Sequence, residues 1–97
     1  MRIKILATAE DDLEDGYRFY ESQSVGLGTY FLDTLYSDID SLAYFAGIHR
    51  VVLAYHRLLS KRFPFAVYYR LANDEILVYA VLDCRKNPSW IRATLTK

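Results

Sequence analysis

Cysteine, proline and glycine are scarce in this chain, whose 97 residues include one, two and four of them respectively. The single cysteine, Cys84, excludes a framework of internal disulfides and a zinc site built from several cysteines. So few prolines and glycines leave little room for long flexible linkers. No apolar run approaches the roughly 20 residues that a membrane-spanning helix needs. Together with the lack of a signal-peptide pattern, these absences predict a cytoplasmic protein that does not enter a membrane.

Large aromatic side chains are plentiful, with nine tyrosines, five phenylalanines and one tryptophan. A chain of this length buries only about 60–65% of its unfolded surface, so its core must be dense in large side chains. The excess of tyrosine predicts rings that pack on one side and keep a hydroxyl near water or a partner. We expect a single domain that covers residues 1–97.

The net charge of zero conceals an asymmetry between the two halves of the chain. Up to Ile48, three bases stand against nine acids, which gives −6, and from His49 onward nine bases stand against three acids, which gives +6. Such an asymmetry suggests two surfaces with different partners, and two solvated faces that attract each other would give the same count. We interpret the halves as two layers of one domain, with acidic helices on a basic sheet.

The first half of the chain has the pattern of a strand followed by two helices. Residues 2–7 alternate between basic and apolar side chains, as in a half-buried strand. The Thr8 hydroxyl is expected to cap a first helix that runs to about Gln23. After a short connector, a second helix is expected over residues 28–45, with Gly47 as its stop signal. The apolar stripes of the two helices comprise Ala9, Leu13, Tyr17, Tyr20, Phe31, Leu32, Leu35, Ile39 and Leu42.

The second half of the chain is rich in strand-forming residues. Residues 56–63 are expected to form a strand that carries basic side chains, after a connector without a clear period. Residues 65–71 and 75–82 are β-branched and aromatic, and the polar residues between them are typical of a hairpin turn. A short tail, residues 90–95, is expected to dock through Trp90. The fold class is therefore α+β, with three antiparallel strands after a helical hairpin.

This order of elements resembles the RelE/ParE superfamily of toxins from bacterial toxin–antitoxin pairs, in particular its plasmid-stabilisation or ParE-like branch. Four segments in the same order carry the resemblance, and together they span nearly the whole chain. They are Ala9-Glu10-Asp11-Asp12-Leu13, Gly26-Leu27-Gly28 with Phe31-Leu32, Arg62-Phe63-Pro64-Phe65-Ala66-Val67-Tyr68-Tyr69-Arg70, and Val81-Leu82 continuing through Arg85, Pro88 and Trp90.

The resemblance implies a fold, a partner and one of two targets. The implied fold is an N-terminal strand, an antiparallel helical hairpin, a three-stranded antiparallel sheet and a short C-terminal tail. The implied partner is a small antitoxin that wraps over the sheet and helices, in a homodimer or a toxin–antitoxin hetero-oligomer without cofactors. ParE-like members inhibit DNA gyrase, whereas RelE-like members cleave messenger RNA in the ribosomal A site. Fold alone does not choose between these targets.

RNA cleavage without a metal needs a base for the ribose 2′-OH, cations for the developing phosphorane charge and an acid for the leaving oxygen. Arg85 is the catalytic candidate, since active members of the superfamily carry a basic residue after the last strand. Tyr68, Tyr69 or Trp90 could stack on a base or shuttle a proton. The residues expected to bind the target or nucleic acid are Lys61, Arg62, Arg70, Arg85, Lys86, Tyr68 and Trp90.

Two departures from the RelE-like pattern weigh against a complete nuclease site. The nucleases tend to carry an arginine three positions before the strand tyrosine that aligns with Tyr68, where this chain has Phe65. Many relatives carry a histidine just after the last strand, where this chain has Asp83. A phenyl ring cannot neutralise a phosphate, and a carboxylate repels one. Gyrase inhibition or weak toxicity is therefore favoured over RNA cleavage, which stays open as the alternative.

The remaining candidates favour plain structural interpretations. His49 and His56 lack the acid or cysteine spacing of a metal-ligand set, so no metal site is predicted. Cys84 could act as a nucleophile if nearby bases lower its pKa, but the position also suits an ordinary turn residue. Arg62 and Arg70 could cover neighbouring side chains or meet helix acids instead of a target.

Overall fold

The computed structural model describes all 97 residues as one five-stranded sheet with helical segments packed on both of its faces. No helix in it is long and apolar enough to cross a membrane. The elements in chain order are β1 (Arg2–Ile5), α1 (Ala7–Glu21), α2 (Leu27–Asp40), the single turn α3 (Leu42–Phe45), β2 (Val51–Val52), β3 (Tyr55–Leu59), β4 (Phe65–Ala72), β5 (Glu75–Asp83) and α4 (Pro88–Leu95).

The sheet is mixed, with the strand order β1-β5-β4-β3-β2. The expected three antiparallel strands are present as β3, β4 and β5, but the expectation of a three-stranded, purely antiparallel sheet is wrong. β1 joins the edge in parallel with β5, because burying Ile3 and Ile5 against the helix-side core places its backbone there. β2 adds a fifth strand, since a tight turn folds part of the expected connector back onto β3.

Two tight turns connect the antiparallel strands. Asn73 and Asp74, between β4 and β5, have φ angles of 50° and 63°, which confirms the expected hairpin. Leu53 and Ala54 form the corresponding turn between β2 and β3, with φ angles of 53° and 69°. Leucine and alanine adopt this region rarely, so the sequence gives no signal for the second turn.

A bulge in β5 changes which face its side chains occupy. Tyr68 pairs with Ala80 and Tyr69 pairs with Val78, so Tyr79 has no partner on β4. Such an extra residue shifts the alternation of the strand. The two faces of the sheet are covered by different elements. The helix-side core contains Phe65, Val67, Tyr69, Ile76, Val78 and Val81, and the opposite side, here called the α4 face, contains Tyr55, Ala66, Tyr68, Ala80, Leu82 and Leu95.

The helical hairpin packs on the sheet through the apolar stripes expected from the sequence. Tyr20 and Phe31 meet Phe63 and Phe65 with ring centroids 4.9 to 6.1 Å apart. Gly16 lets the helices approach closely, because a Cβ there would lie 2.5 Å from ring atoms of Phe31. This aromatic cluster explains how so short a chain fills its core.

The helix ends use caps other than the one expected. α1 already begins at Ala7, and the Thr8 hydroxyl donates to the Tyr79 carbonyl at 2.8 Å, so the expected Thr8 cap is wrong. Glu21 accepts hydrogen bonds from the amides of Gly26 and Gly28 at 2.9 to 3.1 Å. The last residue of α1 therefore satisfies free amides at the start of α2 and closes the hairpin.

The C-terminal tail is a helix that docks through its far end. The Asn87 side chain accepts from the Ser89 amide at 2.8 Å, and Pro88 occupies the first turn of α4. Trp90 is 45% exposed, whereas Leu95 is 6% exposed within the α4-face cluster. The expectation that the tail docks through Trp90 is therefore wrong, because the helix turns Leu95 and part of Ile91 to the sheet instead.

We expect Gly16→Ala to lower the free energy of unfolding by about 1–2 kcal/mol despite the better helix propensity of alanine, because the added methyl group overlaps Phe31. Urea denaturation followed by circular dichroism measures this change. In a Phe31→Leu background the same substitution should cost nothing or stabilise. An equal loss in both backgrounds would show that the Phe31 contact is not the cause.

Candidate functional site

The residues expected to bind a target do not form one site but fall in three places. Tyr68 and Arg70 belong to the α4 face, Lys61 and Arg62 lie in the β3–β4 loop, and a third group follows β5. This third group consists of Arg85, Lys86 and Trp90.

On the α4 face, Tyr68 lies directly opposite Arg57 of β3. Tyr68 is only 3% exposed, and its burial raises the pKa of its hydroxyl while the Arg57 guanidinium opposes that shift. Partial desolvation also raises the pKa of the Cys84 thiol, again opposed by Arg57. A raised pKa keeps the thiol protonated at neutral pH, so the structure does not provide the activation that a nucleophilic Cys84 would need.

Arg70 is held within the α4 face by its neighbours. Its Nε donates to the Ala54 carbonyl at 3.1 Å, and its guanidinium carbon lies 4.0 Å from the Tyr55 ring centroid and 5.3 Å from that of Tyr79. Cation–π contact and the hydrogen bond support the positive-φ turn at Leu53 and Ala54. Arg70 therefore has a structural role in this arrangement.

Lys61 and Arg62 face α2 rather than the α4 face. The Arg62 guanidinium donates to the Tyr30 hydroxyl at 2.9 Å. Both bases line an open polar cavity of about 470 Å³, whose other wall includes Asp33 and the largely buried Asp38. The loop bases therefore share a cavity with helix acids, but the hydrogen-bond partner of Arg62 is the Tyr30 hydroxyl and not a carboxylate.

Arg85, the catalytic candidate, is paired with Asp83. Its Nε and Nη2 lie 3.0 and 2.8 Å from the two carboxylate oxygens of Asp83. Nη2 also lies 3.5 Å from the hydroxyl of Tyr20, which belongs to the helix-side core. The hydrogen bonds from the Arg85 guanidinium are the main reason that the pKa of Asp83 is lowered, so both groups stay charged at neutral pH. The ion pair orients Arg85 toward α1, and the Asp83 carboxylate offsets part of its positive charge.

The two departures from the nuclease pattern, Phe65 and Asp83, lie beside each other in the sheet. Phe65 is the cross-strand partner of Asp83. Its ring packs into the helix-side core, 4.9 Å from Phe31, and is 7% exposed. An arginine side chain in this position would have to be buried among aromatic rings, which is costly without a partner.

Lys86 and Trp90 line a cleft of about 270 Å³ between α1 and the segment that follows β5. The Lys86 ammonium lies 5.5 Å from the Trp90 ring centroid. On the α1 wall, Asp12 accepts a hydrogen bond from the Val81 amide at 3.0 Å. Burial raises the Asp12 pKa to about 6, against the opposing effect of that hydrogen bond.

His49 and His56 are engaged in a hydrogen-bonded group around Tyr69, which is fully buried. The Tyr69 hydroxyl accepts from the Gly47 amide at 2.9 Å and bonds to Nδ1 of His49, whose pKa is lowered mainly by burial. His56 donates through Nδ1 to the His49 carbonyl at 2.8 Å and stacks on Tyr69. Tyr69 and both histidines therefore anchor the segment before β2 to the sheet.

Sequence reasoning missed two residues of interest, Arg57 and Asp12. Arg57 is placed opposite Tyr68 by the β3–β4 register, which requires knowledge of the strand pairing. Asp12 is one of five acids among residues 10–15, and its only distinguishing signal is its position next to Leu13 of the apolar stripe. A helical projection would have separated Asp12 from the outward-facing acids.

The α+β fold described above is similar to that of a chain in the solved structure of the chromosomal ParDE toxin–antitoxin system from P. aeruginosa. The TM-score is 0.74 at 23% sequence identity, and the similarity covers 84% of this chain and 92% of that chain. This similarity confirms the α+β fold class that the RelE/ParE resemblance implied, although the sheet is mixed and five-stranded instead of antiparallel and three-stranded. No protein-family model and no curated protein matches the sequence.

Asp12 should make the stability of the protein depend on pH. Because its folded-state pKa of about 6 lies above the ordinary value of 3.8, the folded protein loses stability as pH rises through this interval. Asp12→Asn keeps an acceptor for the Val81 amide without the charge. We expect it to stabilise the protein by about 1–2 kcal/mol at pH 7, after allowance for solvent screening, and to have little effect at pH 4.

Urea denaturation of the variant and the unchanged protein at both pH values measures this difference. The comparison between the two proteins removes the contribution of His49, whose lowered pKa acts in the opposite direction below pH 6.5. Asp11→Asn, at an exposed position of the same helix, is the matched control. A difference that is independent of pH would contradict the assignment to Asp12.

Proposed function

We propose that this chain is the toxin of a type II toxin–antitoxin pair, acting in the cytoplasm and silenced by a small cognate antitoxin. The observation that carries the proposal is the similarity of its fold, over 84% of its length, to a chain of a ParDE toxin–antitoxin system. The four sequence segments noted above support the same assignment. In this role the chain forms a hetero-oligomer with its antitoxin, or a homodimer within it, and contributes to plasmid stabilisation.

As the target we propose DNA gyrase. The chain is then a ParE-like inhibitor of gyrase or a weakly toxic relative of such inhibitors. Phe65 is a core residue, and Arg85 is ion-paired with Asp83. Neither position therefore offers a free cation to a phosphate, which RNA cleavage without a metal requires. Inhibition of gyrase requires a binding surface rather than a set of groups aligned for RNA cleavage, so these two features are compatible with it.

The alternative is a ribosome-dependent mRNA endonuclease of the RelE type. The observation in its favour is the pair of Arg57 and Tyr68, which places a guanidinium beside a phenol on the α4 face. Tyr68 is nearly inaccessible there, and Leu95 of α4 packs in the same cluster. A nuclease that used this pair would have to expose it to RNA.

Inducing the chain without its antitoxin tests the proposed target. We expect growth arrest with a DNA-damage response and with no codon-phased 5′ ends in cellular mRNA, because the toxin poisons gyrase instead of cutting messages. Purified chain should correspondingly inhibit DNA supercoiling by purified gyrase. Phased 5′ ends without a DNA-damage response would establish the endonuclease instead.

Two arginine variants separate the mechanisms further. If the chain is a nuclease, Arg57→Ala and Arg85→Ala should each reduce phased cutting about 100-fold or more, the usual effect of removing a transition-state cation. Arg18→Ala, on the exposed surface of α1, is the control.

Absence of any growth arrest from a well-folded chain would eliminate both active mechanisms and leave the weakly toxic form. The antitoxin of such a pair is expected to be encoded by a short reading frame next to the gene of this chain. Failure of a folded chain to bind that product would contradict the pairing itself.

A further inference from the structure

The cleft between α1 and the segment after β5 combines an apolar wall with three acids, of which Asp12 has no ion pair. Phe19 and Trp90 at its rim are 49% and 45% exposed, although both are large aromatic residues, and Phe65 and Val81 lie among the lining residues. Exposed aromatic side chains around a concavity are typical of a surface that a partner covers. The cleft is distinct from the α4 face, where Arg57 and Tyr68 lie.

The α1 side of the cleft is strongly acidic. Residues 7–21 contain six acids and one base, which gives α1 a net charge of −5. Asp12 and Asp15 line the cleft itself, and Asp12 has a single hydrogen bond, to the Val81 amide, and no ion pair. Asp15 is 3.3 Å from Arg18, an exposed contact of little strength. Lys86 is the one base among the lining residues.

We propose that this cleft binds a basic segment of a partner protein. One apolar side chain of that segment enters between Phe19 and Trp90, and a neighbouring arginine or lysine pairs with Asp12 and Asp15. A cation at this point would compensate the partly buried charge of Asp12, with which no base of this chain forms an ion pair. The identity of the partner rests on the proposed function. If the chain is the toxin of a toxin–antitoxin pair, the basic segment belongs to its antitoxin.

The volume and charge of the cleft select this occupant over others. About 270 Å³ is below the usual range of about 300–1,000 Å³ for small-molecule sites and suits one or two side chains. Nucleic acid is disfavoured, because Asp12, Asp15 and Asp83 would face its phosphates. A second copy of this chain is the remaining competitor, and the experiment below distinguishes it.

Trp90 is the only tryptophan of the chain, so its fluorescence reports on this cleft alone. The probes are three blocked tripeptides with two leucines followed by arginine, glutamine or glutamate. We expect a saturable change in Trp90 emission, with the arginine peptide binding about tenfold more tightly than the glutamine peptide and the glutamate peptide binding weakest. Asp12→Asn should remove most of the preference for arginine, whereas Asp11→Asn should keep it.

Several results would overturn the proposal. These are absence of binding, equal binding of the three peptides, or a preference for arginine that survives in Asp12→Asn. Sedimentation of the chain alone addresses the competitor, since a dimer that Asp12→Asn dissociates would assign the cleft to a second copy. These measurements need no toxicity, so failure of peptide binding with intact growth arrest overturns only the cleft assignment. If the chain binds the peptide but neither arrests growth nor binds an antitoxin, only the proposed function is overturned.

Discussion

The outward edge of β5 depends on α1 for its hydrogen bonds. β5 has nine residues, but β1 pairs with only its first four, up to Val78. Beyond that point the Tyr79 carbonyl accepts from the Thr8 hydroxyl, and the Val81 amide donates to the Asp12 carboxylate. A strand edge with buried polar groups must find such partners, because leaving them unpaired is costly. The start of α1 therefore replaces the missing continuation of β1.

Fixing α1 against β5 determines much of the remaining structure. It sets Gly16 against the Phe31 ring and places Tyr20 within reach of Arg85. It also forces the Asp12 carboxylate into a partly desolvated position, where its charge is less favourable than in water. The same helix that completes the sheet thus forms the acidic wall of the cleft. Structural support and a charged surface come from one set of contacts.

Local patterns in the sequence predicted those elements whose side chains show a clear period. The stripes of α1 and α2 and the turn at Asn73 and Asp74 are visible without knowledge of the fold. The parallel pairing of β1 with β5 and the bulge at Tyr79 depend on distant contacts, which no local pattern encodes. Asn87 and Pro88 did carry a signal for α4, as a capping residue followed by proline in the first turn.

The candidate site was harder to predict than the fold, because strand alternation and loop position separate residues that the sequence groups together. Arg57, Tyr68 and Arg70 share the α4 face, whereas the bases of the β3–β4 loop and Arg85 turn toward the helices. The +6 charge of the second half is therefore divided among three surfaces and partly neutralised. Phe65 and Asp83 changed the interpretation most. They pair across β4 and β5, where Phe65 belongs to the core and Asp83 is ion-paired with Arg85. A cation in either place would have to displace an interaction that the fold already uses.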